Sequence, residues 1–385
     1  ALFFDADGDG DDDLYVVSGG NEKEAGAMYY QDRLYINEGG SYVNNTAAIP
    51  VMNTSGSKVL CSDFDQDGDL DLVIGGRLSS KNYGIPAKTT LLRNDSQEGN
   101  PSFKDVTAEV APELENVGMV TDLLWLDMDQ DGWQDLILVG EWMPVTYFHN
   151  AAGKLIDETE KIGWKDTRGW WFSVAAADFN KDGQPDLVVG NVGTNYKYQA
   201  SEEEPFELYV NDFDQNGSND LVLGYYNEGK KFPVRGRQCS SEQMPFIKKK
   251  FADYNSFASA ELETIYGTQN LASAQYHYEV KSFESMVLIS DQSGYQAKPL
   301  PAVCQVSSIN AIAIADFNTD GQLDILTAGN LYSSEVETKR NDASIGQLLL
   351  GDGRGDFDPV PYKKSGFMAD GDVKDIIIIS HMGVP

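Results

Sequence analysis

Residues 63–76 read DFDQDGDLDLVIGG, an acidic loop that runs directly into an apolar stretch. Aspartate stands at positions 1, 3, 5 and 9 of the loop, and glycine stands at position 6. Glycine tolerates the backbone angles of a sharp turn, and the aliphatic residues after position 9 favour a strand. The stretch therefore predicts a tight acidic turn at the head of a buried β-strand.

The same pattern, D-x-[DN]-x-[DN]-G-x-x-D followed by a β-type run, occurs six times, and a degenerate seventh copy lies near 370–376. We number the six acidic loops 1 to 6: residues 5–13, 63–71, 127–135, 178–186, 212–220 and 316–324. With position 7 included for its backbone carbonyl, the candidate metal ligands are Asp5, Asp7, Asp9, Asp11 and Asp13; Asp63, Asp65, Asp67, Asp69 and Asp71; Asp127, Asp129, Asp131, Trp133 and Asp135; Asp178, Asn180, Asp182, Gln184 and Asp186; Asp212, Asp214, Asn216, Ser218 and Asp220; and Asp316, Asn318, Asp320, Gln322 and Asp324.

Other short apolar runs accompany each loop, which gives about four strands in every 55 residues or so, as in a propeller blade. The sequence predicts an all-β fold, a single β-propeller over residues 1–385 with seven blades, or six as the alternative. Residues 230–280 break the pattern and predict a small helical insertion, with one helix capped by Ser240 or Ser241 and a second from about Ser256 to Tyr266.

The loop chemistry predicts several structural Ca²⁺ ions. Ca²⁺ takes six to eight oxygen ligands, and alternate acidic side chains in a tight loop supply them. A helix-flanked calcium loop would need an acidic residue at position 12, where this chain has Val16, Ile74, Leu138, Val189, Leu223 or Thr327. The remaining alternative is acidic turns without a metal.

These repeats resemble the FG-GAP/VCBS family, whose members form integrin-α-like β-propellers. Residues 230–271 resemble a segment of large secreted VCBS-repeat surface proteins of Bacteroidetes, many of them lipoproteins with further domains. The resemblance implies a secreted or cell-surface location, associated with the outer membrane if the protein is bacterial. The chain begins inside a repeat, so we expect it to be a piece of a longer protein, with a lipid anchor or further domains outside it.

The formal charge of −32 argues against nucleic acid as a partner, because phosphates would be repelled. No apolar run is long enough for a transmembrane segment. The three cysteines are too few for a disulfide framework.

The predicted function is a calcium-stabilised binding or adhesion module that recognises a glycan or a protein. Trp142, Trp164, Trp170 and Trp171 lie near predicted strand ends, where they either stack on a sugar or pack between blades. The alternatives are a calcium-dependent polysaccharide lyase on the same scaffold and a structural spacer in a larger surface protein. The three histidines fall in different repeats without recognisable partners, so we predict no catalytic residue.

Overall fold

The computed structural model describes residues 1–97, 99–291, 294–334 and 338–379. These residues form five antiparallel sheets, four of them four-stranded and one eight-stranded. The eight-stranded sheet consists of two four-stranded units joined by a short pairing of Glu141 with Trp170 and Met143 with Gly169, and we call the resulting six four-stranded units sheets A to F. Sheets A to C consist of β1 (Leu2–Phe4), β2 (Asp13–Val16), β3 (Arg33–Asn37) and β4 (Tyr42–Asn44); β5 (Ser55–Ser62), β6 (Asp71–Leu78), β7 (Thr90–Asn94) and β8 (Phe103–Asp105); and β9 (Met119–Leu126), β10 (Asp135–Met143), β11 (Thr146–Asn150) and β12 (Leu155–Asp157).

Sheets D to F follow the same antiparallel plan, but sheet E interrupts sheet D. Sheet D consists of β13 (Gly169–Ala177), β14 (Asp186–Asn191), β19 (Met286–Asp291) and β20 (Gly294–Pro299); sheet E of β15 (Phe206–Asn211), β16 (Asp220–Asn227), β17 (Lys230–Pro233) and β18 (Tyr276–Val280); and sheet F of β21 (Ala311–Ala315), β22 (Asp324–Ala328), β23 (Gln347–Gly351) and β24 (Phe357–Val360). The chain therefore builds sheet E between the second and third strands of sheet D.

Each acidic loop connects the first two antiparallel strands of one sheet, with sheet E running β17-β16-β15-β18. Position 9 of the loop is the first residue of the following strand in all six sheets: Asp13, Asp71, Asp135, Asp186, Asp220 and Asp324. The run after it is buried, most completely in β10 and β14. The predicted turn and strand are thus confirmed at every copy.

The hydrophobic core lies between neighbouring sheets, as in a propeller. Tyr15 and Leu34 of sheet A pack in one cluster with Leu72 of sheet B, and further clusters join B with C, C with D, and D with F. A sheet that is apolar on both faces is stable only when both faces are covered, so the blades stabilise one another.

Hydrogen bonds also join the first strands of successive blades. The Ser57 hydroxyl donates to the Val120 carbonyl (2.7 Å), Thr121 to Trp171 (3.0 Å) and Ser173 to Ile309 (2.8 Å). The ring order is therefore A, B, C, D, F, with sheet E outside it.

The described residues hold five blades in ring order and one inserted sheet, and residues 370–379 form no strand. The predicted propeller-type all-β fold is confirmed, whereas the number of blades in a closed ring stays a prediction.

The helices are short and lie mostly in the insertion. They are α1 (Thr107–Val110), α2 (Arg237–Gln243), α3 (Phe246–Lys250), α4 (Tyr254–Ala258), α5 (Leu262–Tyr266), α6 (Thr268–Ala272) and α7 (Tyr362–Ser365), with 3-10 turns at Met28–Tyr30, Thr46–Ala48, Pro112–Asn116 and Ala302–Cys304. No described helix is long and apolar enough to cross a membrane.

Helices α2 to α6 fall within the predicted insertion and pack on sheet E through Ile247, Leu262 and Ile265. Ser240 lies inside α2 and does not cap it, because the helix already begins at Arg237. Its hydroxyl bonds the Arg235 carbonyl instead. The single helix predicted from about Ser256 to Tyr266 is instead two short helices, α4 and α5, and α5 ends at Tyr266 as expected.

Candidate metal loops and a candidate binding cavity

All six acidic loops share one hydrogen-bond pattern. The amide of the position-6 glycine donates to the carboxylate at position 1, and the position-7 amide donates to the side chain at position 5. The six glycines have φ between 82° and 102°, a region that favours glycine. The pattern fixes the side chains of positions 1 and 5 on the turn.

The position-9 aspartates are buried and fix each loop to its blade. One carboxylate oxygen accepts from the amide of position 2, for example Ala6 to Asp13 at 2.8 Å. In loops 1, 2, 3, 4 and 6 the other oxygen accepts from an amide of the third strand, namely Asn37, Asn94, Asn150, Ser290 and Gly351. Burial raises the pKa of these carboxyl groups, and that of Asp71 rises to about 7.

Loops 1 and 2 bring the carboxylates of positions 1, 3 and 9 together (Asp5, Asp7 and Asp13; Asp63, Asp65 and Asp71), whereas loop 3 brings together positions 1, 3 and 5. Burial and the neighbouring carboxylates raise the pKa of Asp7 and of Asp65. One carboxylate oxygen of Asp65 is buried without a hydrogen-bond partner, and so is one of Asp214 in loop 5. A divalent cation would satisfy these oxygens and relieve the repulsion, so the donor set fits Ca²⁺.

Loops 4 and 6 carry fewer carboxylates than loops 1 to 3, because asparagine replaces aspartate at position 3. The amides of Asn180 and Asn318 donate to Asp182 and Asp320 within the same loop, at 3.1 and 2.8 Å. An amide that donates its N–H still offers its oxygen as a ligand, so these loops keep the chemistry of a weaker cation site.

Side chains at position 4 connect successive loops around the ring. Gln66 of loop 2 donates to the Gly132 carbonyl of loop 3 (2.8 Å), Gln130 of loop 3 donates to Gly183 of loop 4, and Lys181 of loop 4 donates to Gly321 of loop 6 (2.9 Å). We call these three contacts the loop ladder. The ladder passes over loop 5, in agreement with the position of sheet E outside the ring.

An aromatic cavity of about 340 Å³ lies at the face opposite the acidic loops. Its strand residues lie at the ends remote from those loops: Arg77 near the end of β6, Trp142 near the end of β10 and Trp170 near the start of β13. Sheet E closes one side with Phe206 and Leu223. The cavity shares Arg77 and Phe172 with a larger space of about 560 Å³ along the ring axis.

The cavity walls are stacked rings with few polar groups. The ring centroids of Trp142 and Trp170 are 5.3 Å apart, and those of Trp142 and Phe206 are 5.4 Å apart. Tyr196 and Tyr198 extend the surface. The Trp170 indole nitrogen is shielded from solvent and has no hydrogen-bond partner among the described residues.

Arg77, Tyr83 and Glu141 form the polar part of the cavity. Glu141 is buried, accepts from the Arg77 guanidinium, and accepts from the Tyr83 hydroxyl at 2.6 Å. The Trp142 indole donates to the same hydroxyl at 2.8 Å. Burial and the Glu141 charge raise the pKa of Tyr83 far above its usual value, so the phenol keeps its proton.

Trp142 has φ 64°, in the left-handed region, although it is a bulky buried residue. Such a conformation costs on the order of 1–3 kcal/mol and clusters at functional sites. This strained backbone conformation places the indole in the cavity wall at the end of β10.

The four tryptophans singled out from the sequence divide into two pairs. Trp164 and Trp171 are buried in the core between sheets C and D, whereas Trp142 and Trp170 line the cavity. Sequence reasoning missed Arg77, Tyr83 and Glu141. Glu141 lies 58 positions from Tyr83 and 64 from Arg77, so it meets them only in the folded protein.

Comparison with known proteins supports the repeat assignment. The FG-GAP-like repeat model matches residues 5–74 and 127–189. Cartilage acidic protein 1 of Mus musculus and of Homo sapiens are each 26% identical to this chain over 202 residues. The match covers 49% of this chain but only 30% and 29% of those proteins, respectively.

Three solved structures overlap most of the chain at low TM-scores. They are an Agrocybe aegerita lectin described as recognising non-reducing terminal N-acetylglucosamine (14% identity, TM-score 0.34, covering 96% of this chain and 82% of that one), Saccharomyces cerevisiae Sqt1 (9%, 0.28, 91% and 85%), and the V. cholerae biofilm matrix protein Bap1 (11%, 0.25, 92% and 78%).

Proposed function

We propose that this chain of FG-GAP-like repeats is an extracellular binding module that holds a glycan in its aromatic cavity and Ca²⁺ in its acidic loops. The observation that carries the glycan assignment is the pair of cavity tryptophans beside the Arg77–Glu141 pair. The calcium assignment is supported by the crowded carboxylates of loops 1 to 3 and the unsatisfied oxygen of Asp65.

The cavity chemistry suits a sugar ring. The C–H face of a pyranose is apolar and stacks on indole rings, while its hydroxyl groups need both donors and acceptors. Arg77 supplies donors, and Glu141 supplies an acceptor. Ligand pockets usually combine apolar walls with a few such polar groups, and a volume of about 340 Å³ lies in their usual range.

Calcium would act at the other face as a structural ion. Each loop holds the turn between two strands, so neutralising its carboxylates stabilises the blade rather than taking part in ligand recognition. Cation sites of modest affinity are occupied outside the cell, where Ca²⁺ is abundant, and this supports a secreted or surface location.

The test is binding of the calcium-loaded chain to a glycan array, followed by calorimetry with the best oligosaccharide. We expect Trp170→Ala to weaken binding by about 2 kcal/mol or more, roughly 30-fold, because it removes a stacking face. Tyr254→Ala, which removes an exposed ring on α4, is the matched control and should leave binding unchanged.

Other outcomes would assign the protein differently. Release of unsaturated products from uronic-acid polymers would make the protein a lyase. No binding to any glycan, with an intact melting curve, would reject the cavity as a glycan site and leave recognition of a protein or the structural-spacer function.

A further inference from the structure

We propose that His149 completes loop 3, and that this loop binds a first-row transition-metal ion such as Zn²⁺ in place of Ca²⁺. The inference rests on the proposal that the loops hold metal ions, and it assigns a different class of metal to one of them.

His149 on β11 lies between two ligand positions of loop 3. Its Nδ1 atom is 3.4 Å from Oδ2 of Asp129 at position 3 and 3.3 Å from Oδ1 of Asp135 at position 9. The His149 side chain is 19% exposed and Asp135 is fully buried, whereas Asp129 is 47% exposed, so the site is sheltered by the blade and opens to solvent on the side of the loop. The carboxylates come from the loop and the imidazole comes from a strand, so the site is fixed on two sides.

The spacing of these atoms fits a shared ion. Zn²⁺ holds nitrogen and oxygen ligands at about 2.0–2.2 Å, which places neighbouring ligand atoms about 2.8–3.6 Å apart. A direct charge-assisted hydrogen bond would be shorter, about 2.7–2.9 Å. Both measured distances fall in the first range and outside the second.

Other blades have no nitrogen ligand at this register. When the strand register is extended by one residue, Ile36, Arg93, Ile289 and Leu350 lie opposite the position-9 aspartates of loops 1, 2, 4 and 6. Aliphatic side chains and a guanidinium group do not ligate metals, so among these five loops the imidazole distinguishes loop 3. The same extension places His149 opposite Asp135.

An imidazole nitrogen among the ligands changes which metal ion a site prefers. Ca²⁺ is a hard cation that takes oxygen ligands, whereas imidazole suits Zn²⁺ and its first-row neighbours. The Tyr147 hydroxyl donates to Oδ2 of Asp135 at 3.2 Å and so positions that ligand.

A second histidine cluster provides an internal control. Glu207, His277 and Glu279 also converge. There, however, Lys231 lies 2.7 Å from Glu207 and Arg168 lies 2.8 Å from Glu279, so protein cations already neutralise both carboxylates.

The experiment titrates Zn²⁺ into the full chain saturated with Ca²⁺, by calorimetry, and repeats it with Co²⁺ followed by visible absorption. The variants are His149→Ile and His277→Asn. His149→Ile installs the residue that stands at the same register beside loops 1 and 4. We expect the wild-type chain and His277→Asn to take up about one tight equivalent of Zn²⁺. His149→Ile should lose that equivalent and its Co²⁺ absorption band, with Ca²⁺ binding at the other loops retained.

Equal Zn²⁺ uptake by His149→Ile and the wild-type chain would overturn the proposal. Loss of uptake in His277→Asn alone would move the site to sheet E and overturn it as well. Ca²⁺ binding is measured separately in every variant, so a failure of the calcium proposal is recognised independently. If His149→Ile melts at a lower temperature, His149→Asn repeats the test with a smaller change in polarity.

Discussion

Asp32 is a buried carboxyl group outside the acidic loops. It accepts hydrogen bonds from the Tyr15 hydroxyl (2.9 Å) and the Ser18 amide (2.6 Å). Burial, the largest cause, raises its pKa from 3.8 to about 6. The folded state therefore holds this proton more tightly than the unfolded chain does.

The stability that Asp32 contributes is fully present below about pH 4 and is lost as the pH rises through about 6. We expect the wild-type chain to lose about 2 kcal/mol more unfolding free energy between pH 4 and pH 7 than Asp32→Asn does. Urea unfolding of both proteins at the two pH values, in saturating Ca²⁺, measures this. Parallel pH profiles would mean that the folded carboxyl titrates normally.

The residues of the acidic loops and of the aromatic cavity show what could and could not be predicted from the sequence. The candidate ligands follow from local spacing, because each loop is continuous in sequence. Glu141 and Arg77 are 64 residues apart, and nothing in their local sequence indicates that they meet. Trp170 and Trp171 are adjacent, yet one lines the cavity and the other is core, since successive strand residues face opposite sides.

At the scale of elements, the loop ladder is a testable source of stability. Gln66→Ala removes the bond to Gly132 and should lower the unfolding free energy by about 0.5–1 kcal/mol. Gln215 stands at the same position of loop 5 and is exposed, so Gln215→Ala is the matched control with little effect. Denaturant unfolding measures both, and equal losses would show that the ladder contact adds nothing beyond the side chain itself.

The strands that follow the acidic loops could be predicted because loop and strand share one short segment. The position of sheet E could not, since its own loop 5 matches the repeat and reads like another blade. What places sheet E outside the ring is pairing between β14 and β19, which are nearly 100 residues apart, and pairing at such a distance leaves no local signal.

At the scale of the molecule, removal of Ca²⁺ tests the proposed role of the loops. A site filled at 100 times its dissociation constant contributes about 2.7 kcal/mol. Several such sites should therefore raise the melting temperature by well over about 5 °C for a chain of this size. Calorimetric melting in Ca²⁺ and in EGTA measures the shift. The same curve in both would show that the acidic turns are stable without a metal.

The path of the chain around sheet E has a consequence for how the lining of the cavity could change among related proteins. The chain leaves the ring at Asn191 and rejoins it at Ser285. The Asn191 amide donates a hydrogen bond to the Ser285 hydroxyl at 2.9 Å, so the two residues are adjacent. The segment between them is therefore a cassette with adjacent ends, and it supplies part of the cavity wall through Phe206 and Leu223. Exchange of this cassette between homologues would alter the lining of the cavity, while the strands of the ring keep their own pairing.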